Sequence, residues 1–217
     1  MITSVVIATG ARLQRIETRI SHFAQGAQVQ ADGLYLLNGS RHADLTSVVR
    51  HLEHDGATSQ LIKGVARDTA RGVFQGKIVV ERGADGTDAR MGHHALILGE
   101  RAEVDAKPEL IIYADDVQCA HGNTVGTLDE SALFYMQQRG LNEGQAMSLA
   151  VNGFINDLVR EFPMEYSVEL KRLIDLEIKA SFTEDLLDQL NQIIVNQQQQ
   201  IDALLRELND LRQRLPE

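Results

Sequence analysis

Tryptophan is absent from the 217 residues, which include one cysteine and three prolines, and aromatic side chains make up only 5%. A single cysteine excludes an internal disulfide and is typical of a reducing compartment. The low aromatic content argues against a β protein that cleaves polysaccharides. No run approaches the roughly 18 apolar residues of a membrane helix, and the apolar start lacks the basic region of a signal peptide. We therefore expect a cytoplasmic protein.

Positive charge is also scarce, with 21 Lys and Arg residues against 31 Asp and Glu residues and a formal net charge of −10. Nucleic-acid phosphates and anionic membranes require a basic face, so we expect neither as a partner. The sequence also lacks a Walker lysine motif, a Gly-x-Gly-x-x-Gly fingerprint and a Gly-x-Ser-x-Gly elbow. We predict that the protein is not an enzyme, and that any ATP hydrolysis in its pathway belongs to another subunit.

Residues 1–127 form the first predicted domain, which is mainly β. Short apolar runs at 47–52, 60–65 and 72–80 are separated by turns rich in Gly, Asp and Asn. The runs are similar in length and regularly spaced, without an intervening helical pattern. This arrangement is typical of a sandwich, a barrel or a parallel β-helix, and the spacing alone leaves all three open.

Helical patterns replace strands after residue 127. We predict a small helical tail over 128–170, which begins at the N-cap pattern around Asp129, and a coiled-coil helix over 171–217. In the coiled-coil segment, apolar residues alternate spacings of three and four for about six repeats, which indicates a heptad seam. The seam residues predicted to bind a partner are Leu187, Leu190, Ile194, Ile201, Leu204, Leu208 and Leu211. Because such a seam on a lone helix needs a partner, we expect a homo-oligomer or a helix folded back on its own chain.

Cys119 and His121 are the main candidates for a metal site. They lie two residues apart in a short β pattern, so both side chains leave the same face of the strand. A thiolate beside an imidazole suits iron, zinc or copper, but two ligands do not complete a site. A second chain would have to supply the rest. The alternative is that Cys119 is an ordinary buried strand cysteine.

The other histidines are weaker candidates. His93 and His94 are neighbours, and adjacent strand residues point to opposite faces, so this pair should not bind one ion. His42, His51 and His54 are scattered along the chain, and we expect each of them at the surface or in a turn.

Three segments carry a resemblance to a known family. Lys-Pro-Glu-Leu at 107–110, Tyr-Ala-Asp-Asp-Val at 113–117 and Cys-Ala-His-Gly at 119–122 resemble SufD. SufD belongs to the SufB/SufD scaffold family of the SUF iron–sulfur cluster assembly system. The resemblance covers roughly residues 30–170, and it implies a right-handed parallel β-helix and a scaffold without catalytic activity of its own.

The same resemblance implies a role for the candidate ligands. Cys119 and His121 would lie where the chain meets a SufB-like protein and would hold a transient iron–sulfur cluster shared with that partner. The chain departs from the family at Met91, His93 and Ala95, where spaced Gln and Asn residues are usual. The sequence therefore does not predict a polar ladder at these three positions.

The helical segments carry resemblances of their own. Arg-Gly-Leu at 139–141 resembles the tail of SufB and SufD, which implies docking of a SufC-like ATPase. The residues predicted to contact that partner are Leu133, Phe134, Phe154 and Leu158. The segment at 173–185 resembles SlyX, a small bacterial coiled-coil protein.

A second hypothesis comes from the length and the seam. Members of the SufB/SufD family are roughly twice as long, so the β-helix would be truncated. The protein would then be a structural or interaction protein, assembled by its coiled coil and without cluster chemistry. Iron content after anaerobic reconstitution would discriminate between the two hypotheses.

Overall fold

The structure, a computed structural model, describes residues 1–161 and 164–214. Strands fill the first part of the chain and helices the second, as the sequence predicts. The strands are β1 (Ile2–Ala8), β2 (Leu13–His22), β3 (Gln28–Leu37), β4 (His42–His51), β5 (Ala57–Arg67), β6 (Arg71–Val80), β7 (Thr87–Leu98), β8 (Glu103–Ile112) and β9 (Val117–Gly126). The helices are α1 (Glu130–Gln138), α2 (Glu143–Glu161) and α3 (Met164–Arg214).

Strands pair in parallel with the strand two places further along the chain. One sheet has the order β1-β3-β5-β7-β9, and the other has the order β2-β4-β6-β8. The chain thus alternates between two sheets and adds one strand to each sheet on every circuit. This topology is a parallel β-helix of about four turns. The predicted β-helix is confirmed, and the sandwich and barrel that the spacing left open are excluded.

One turn of the β-helix takes about 30 residues, which is the separation of stacked residues such as Gln25 and Asp55. At this corner Asp55 has a φ of 59°, and its amide donates to the carbonyl of Asp85 in the next turn, at 2.9 Å. Aspartate tolerates this left-handed conformation better than most residues. Successive corners are therefore joined by backbone hydrogen bonds as well as by the sheets.

Two glycines make room for the ring of Tyr35 in the interior of the β-helix. Tyr35 is fully buried, and burial raises the pKa of its phenol. A Cβ atom at Gly64 would lie 1.9 Å from Tyr35 Cζ, and one at Gly72 would lie 2.5 Å from Tyr35 Cε2. Since atoms cannot approach so closely, the absence of a side chain at these glycines makes room for the ring.

Helix α2 packs on β5. Ile155 and Leu158 are buried, in accordance with the apolar stripe of this helix. Lys63, on β5, donates to the side chain of Asp157 and to the carbonyl of Phe154. The contacts of Lys63 thus join the helix to the strand.

The chain divides into two compact units, Met1–Ile178 and Lys179–Glu217. The start of α3 belongs to the first unit, where Ile174 is buried and Glu177 accepts from Arg41 at 3.1 Å. The predicted domain boundaries after residues 127 and 170 stay predictions. In residues 1–161 and 164–214, no helix combines the length and the apolar content that a membrane span requires.

Candidate ligand site at the last strand of the β-helix

Strand β9 ends its sheet and pairs, among the described strands, with β7 alone. The parallel register places Cys119 beside Ala89 and His121 beside Met91. Both of these β7 residues are buried in the interior of the β-helix. Cys119 and His121 therefore continue two interior columns to the point where the stack of turns ends. We call this place the open end.

The two candidate ligands differ in their surroundings. Cys119 is half-buried and packs against the core, whereas His121 is exposed. Burial raises the pKa of the Cys119 thiol, and the charge of Asp88 raises it further, while a hydrogen bond with the backbone of Ala89 acts in the opposite direction. The thiol is therefore protonated at neutral pH, and it would bind a metal as a thiolate by releasing its proton.

The donor set at the open end is small. Within the described part of the chain, no group of three or more His, Cys, Asp or Glu side chains could hold a metal ion. Cysteine and histidine are both ligands of iron–sulfur clusters, so the pair fits that chemistry. That a second chain supplies the remaining ligands stays a prediction.

A buried hydrogen-bond chain runs from the interior to the same open end. Tyr35 Oη lies 3.0 Å from His93 Nε2, and His93 Nδ1 lies 2.7 Å from Asn123 Oδ1. The His93 ring is fully buried and stacks on Phe74, with 5.0 Å between centroids and 9° between planes. Burial lowers the pKa of His93, so its imidazole is neutral at pH 7. The sequence did not predict this contact, and its one signal is the 30-residue spacing of His93 and Asn123.

His94 lies on the opposite face of β7, as the alternation of side chains predicts. Its Nδ1 lies 2.6 Å from Thr124 Oγ1 on β9. The two adjacent histidines thus make equivalent contacts to two adjacent β9 residues, one inside the β-helix and one outside.

His51 was expected at the surface or in a turn, but it is fully buried. His22 and His51 are register partners at the ends of β2 and β4, and their ring centroids are 4.1 Å apart. Thr58 Oγ1 lies 2.9 Å from His51 Nε2, while His51 Nδ1 has no hydrogen-bond partner among the described residues. Burial and the neighbouring His22 lower the pKa of His51 to about 4, and burial lowers the pKa of His22. Both rings are neutral at pH 7.

The four helical residues predicted to dock an ATPase lie in different environments. Phe134 on α1 is 62% exposed, and Leu133 is half-buried. Phe154 is half-buried, with Lys63 Nζ 4.5 Å from its ring centroid. Leu158 is fully buried, so it packs within its own chain and offers no surface to a partner. Phe134 is the best exposed of the four.

The predicted seam can be followed over part of its length. The exposed seam residues are Leu187, Leu190, Ile194, Ile201 and Leu204. The side chains of Leu208 and Leu211 lie outside the described residues. Large aliphatic side chains that are about half exposed or more at heptad spacing form an apolar stripe on α3 that no described residue covers.

Fold and site together define a β-helical protein whose last strand carries a cysteine–histidine pair at an open end. The family model described as "SUF system FeS cluster assembly, SufBD core domain" matches residues 1–154. The chain belongs to this SufBD family. The SlyX family model matches residues 170–217. Both resemblances that the sequence carries are thereby confirmed.

Curated relatives agree with this assignment. The iron–sulfur cluster assembly protein SufD of Escherichia coli is 43% identical over 110 residues, which cover 49% of this chain and 26% of the relative. An iron–sulfur cluster assembly SufBD family protein of Synechocystis is 32% identical over 155 residues, or 71% of this chain and 34% of that protein. A SufBD family protein of Pyrococcus horikoshii is 28% identical over 180 residues, or 82% and 40%. The chain spans less than half the length of these relatives.

Proposed function

We propose that this chain is a SufD-like, non-catalytic scaffold component of iron–sulfur cluster assembly in the cytoplasm. It pairs with a SufB-like protein, docks a SufC-like ATPase, and contributes Cys119 and His121 to a transient cluster. The observation that carries the proposal is the position of these two donors in neighbouring interior columns at the open end. The cluster is cargo that the assembly builds and passes on.

The free edge of β9 supports pairing with another chain. That edge has no strand partner among the described residues. Its backbone N–H and C=O groups are free to bind a further strand, which is a common mode of protein association. A SufB-like strand added there would bring its own ligands close to Cys119 and His121. If the cluster is bound at an interface, this chain needs to supply only part of the ligand set, and the partner supplies the rest.

The protonation state of Cys119 suits transient binding. The raised pKa keeps the free thiol protonated and unreactive. A bound iron ion favours the thiolate, so binding releases the proton and loss of the metal takes it back. His121 is exposed and needs no rearrangement to reach a ligand from outside the β-helix.

The test is co-expression with SufB-like and SufC-like partners, followed by affinity purification and anaerobic reconstitution with iron and sulfide. We compare the parent chain with Cys119→Ala, His121→Ala and the control His94→Ala, which removes a histidine from the outer face of the neighbouring strand. The partners should co-purify with all four proteins. The parent and the control should bind iron and sulfide, whereas His121→Ala should lose most of both. Iron retention by His121→Ala equal to that of the parent would remove this residue from the site.

Docking of the ATPase is proposed to involve the exposed face of α1, where Phe134 and Tyr135 are 62% and 58% exposed. Phe134→Asp should lose the SufC-like partner and keep the SufB-like one. Gln138→Asp adds the same charge at an exposed position of the same helix and should keep both. Loss of both partners from Phe134→Asp would point to a folding defect, which circular dichroism would detect.

A second candidate function rests on the exposed stripe of α3. An interaction protein assembled through this helix would form homo-oligomers and bind neither partner nor iron. Half-exposed Leu190 and Ile194 support self-association, because a second helix would cover them. A chain that elutes as a homo-oligomer, with no co-purifying partner and no iron after reconstitution, would favour this function over the scaffold.

A further inference from the structure

Asn123 is a further residue of β9 that continues an interior column to the open end, beyond Cys119 and His121. Its register partner His93 is fully buried, as are Ala89 beside Cys119 and Met91 beside His121. Cys119, His121 and Asn123 therefore alternate along one face of the last strand. Residues two apart on a strand are about 7 Å apart, so a ligand of cluster size at His121 lies within reach of Asn123.

The hydrogen bond between Asn123 and His93 sets the direction of the Asn123 carboxamide. Its Oδ1 faces His93 Nδ1 at 2.7 Å, and a carbonyl oxygen can only accept, so Nδ1 of His93 carries the proton. His93 Nε2 is then unprotonated and accepts from the hydroxyl of Tyr35 at 3.0 Å. With Oδ1 directed inward, the –NH2 group of Asn123 has no partner among the described residues.

We propose that Asn123 is a further residue of the site, and that its –NH2 group donates hydrogen bonds to an anionic sulfur ligand held beside Cys119 and His121. This inference deepens the proposed function and rests on it. His93 and Tyr35 are positioning residues in this scheme, because they act on the ligand only through the carboxamide. Hydrogen bonds to sulfur are one of the means by which proteins tune iron–sulfur clusters.

The positioning residues are held firmly. Tyr35 is enclosed between Gly64 and Gly72, each of which leaves no space for a side chain of its own. The ring of His93 lies flat on Phe74. A ring confined on its face and bonded at both nitrogens has one orientation, so the carboxamide at the end of the chain is presented in one direction before a ligand arrives.

The structure supplies a matched control one residue away. His94 and Thr124 pair on the outer face at 2.6 Å, in the same two strands and at the next register position. Thr124→Val removes that bond without touching the interior. Asn123→Asp is the informative variant, because it keeps an oxygen for His93 Nδ1 and replaces the outward –NH2 group by a negatively charged oxygen.

The first measurement is the tautomer of His93 in the full chain, read from its two ring ¹⁵N resonances at pH 7.5 and assigned with His93→Gln. We expect the Nδ1–H form in the parent, in Asn123→Asp and in Thr124→Val. The Nε2–H form in the parent would mean that the carboxamide presents its carbonyl outward, and would overturn the inference whatever the protein binds.

The second measurement is iron release to a chelator from the complex with its SufB-like partner, after reconstitution with ferrous iron and sulfide. Asn123→Asp should release iron at least tenfold faster than the parent, and Thr124→Val at the parent's rate. Equal rates for Asn123→Asp and the parent would overturn this inference and leave the proposed function intact. A parent that takes up no iron, with the Nδ1–H tautomer in place, would overturn the proposed function and the sulfur ligand with it.

Discussion

The two compact units treat their apolar side chains in opposite ways. In the first unit the large side chains Tyr35, Phe74 and Ile78 are all but completely buried. In the second unit Leu187, Ile194 and Leu204 are each more than half exposed. The first unit therefore completes a core within one chain, except at its ends, while the helix of the second unit needs apolar cover from elsewhere.

The difference shows where each unit obtains its stability. Stacked turns make contact mainly with the turns before and after them, so the stability of the β-helix should not depend on protein concentration. Association of helices through a seam depends on concentration by mass action. The units also differ in the side chains that titrate between pH 5 and pH 8, since all seven histidines lie in the first unit. Four variants and conditions test these differences, and they are taken from the largest expected effect to the smallest.

The largest effect should come from Gly64→Ala, which breaks the first unit. The new Cβ atom would lie 1.9 Å from Tyr35 Cζ, and the buried ring has no space into which to move. We expect a loss of about 3 kcal/mol or more in the free energy of unfolding, measured with urea by far-ultraviolet circular dichroism. Gly126→Ala is the control, because its Cβ atom meets nothing within 4 Å. Equal stability of Gly64→Ala and the parent would show that Tyr35 can repack.

The second unit should be broken by Ile194→Asp. If a second helix covers the stripe as proposed, a carboxylate at position 194 must give up its hydration, so the proposed self-association should weaken about 100-fold, equal to about 2.7 kcal/mol. Sedimentation velocity over a range of concentrations measures this effect. Asn196→Asp introduces the same charge at an exposed position off the seam, and should associate as the parent does. The unfolding of the β-helix should not change in either variant, and a change there would show that the seam supports the first unit.

Features that depend on neighbouring residues could be predicted from the sequence, whereas contacts between successive turns could not. Helix periodicity is local, so a helix through Leu190 and Ile194 and the order of strands before helices could be predicted. Alternation along a strand is also local, and it places Cys119 and His121 on one face. The interior of a solenoid depends on contacts across about 30 residues, and alternation does not show which face is inside.

For that reason the expectation for His51 was wrong, since a histidine in an alternating strand is read as polar and exposed, and the interior contacts of His93 could not be predicted. His51 packs against His22, its register partner one turn earlier, and contacts Thr58 on the next strand of the chain. His93 contacts Tyr35 two turns earlier and Asn123 one turn later. Local alternation shows none of these contacts. Leu158 was predicted to contact a partner, but it is buried within its own chain, on a helix that packs on a strand far away in the sequence.

Acid should destabilise the first unit and spare the second. The pKa of His51 in the folded protein is lowered from 6.5 to about 4, and the pKa of His22 is lowered as well. Below pH 6.5 the unfolded chain binds protons that the folded chain does not, so stability is complete above that pH and falls toward pH 4. We expect a loss on the order of 1–3 kcal/mol between pH 7.5 and pH 5, measured by urea unfolding of the Ile194→Asp variant so that the proposed self-association does not contribute.

The control for the acid effect is His51→Gln, measured at the same two pH values. Glutamine does not titrate, so the difference between pH 7.5 and pH 5 should shrink in this variant even if its stability at pH 7.5 is lower. A pH dependence as large as that of the parent would assign the effect to other groups.

The smallest effect should come from Asp157→Asn on α2. Lys63 has a nearly buried ammonium group that contacts Asp157, whereas Asp157 itself is largely exposed. Solvent screens the pair from one side, and the carbonyl of Phe154 remains as a second acceptor, so we expect a loss of about 1 kcal/mol or less. Hydrogen exchange of the α2 amides measures it. Asn156→Ala, at an exposed neighbour, should exchange like the parent, and unchanged exchange in Asp157→Asn would show that apolar packing alone holds the helix.

The turn of about 30 residues is also a segment that a gene can gain or lose as a whole. A duplication or deletion of one whole turn returns every later residue to the column that it occupied before, so rings, glycines and corner aspartates meet neighbours of the same kind. An odd change inside a strand turns the later side chains of that strand to the opposite face. A change at a corner leaves the columns in place, as the unequal separations of the register partners His42 and Arg71 and of Arg71 and Glu103 show. Genes for such a protein should therefore change length by whole turns or at the corners, and not inside the strands.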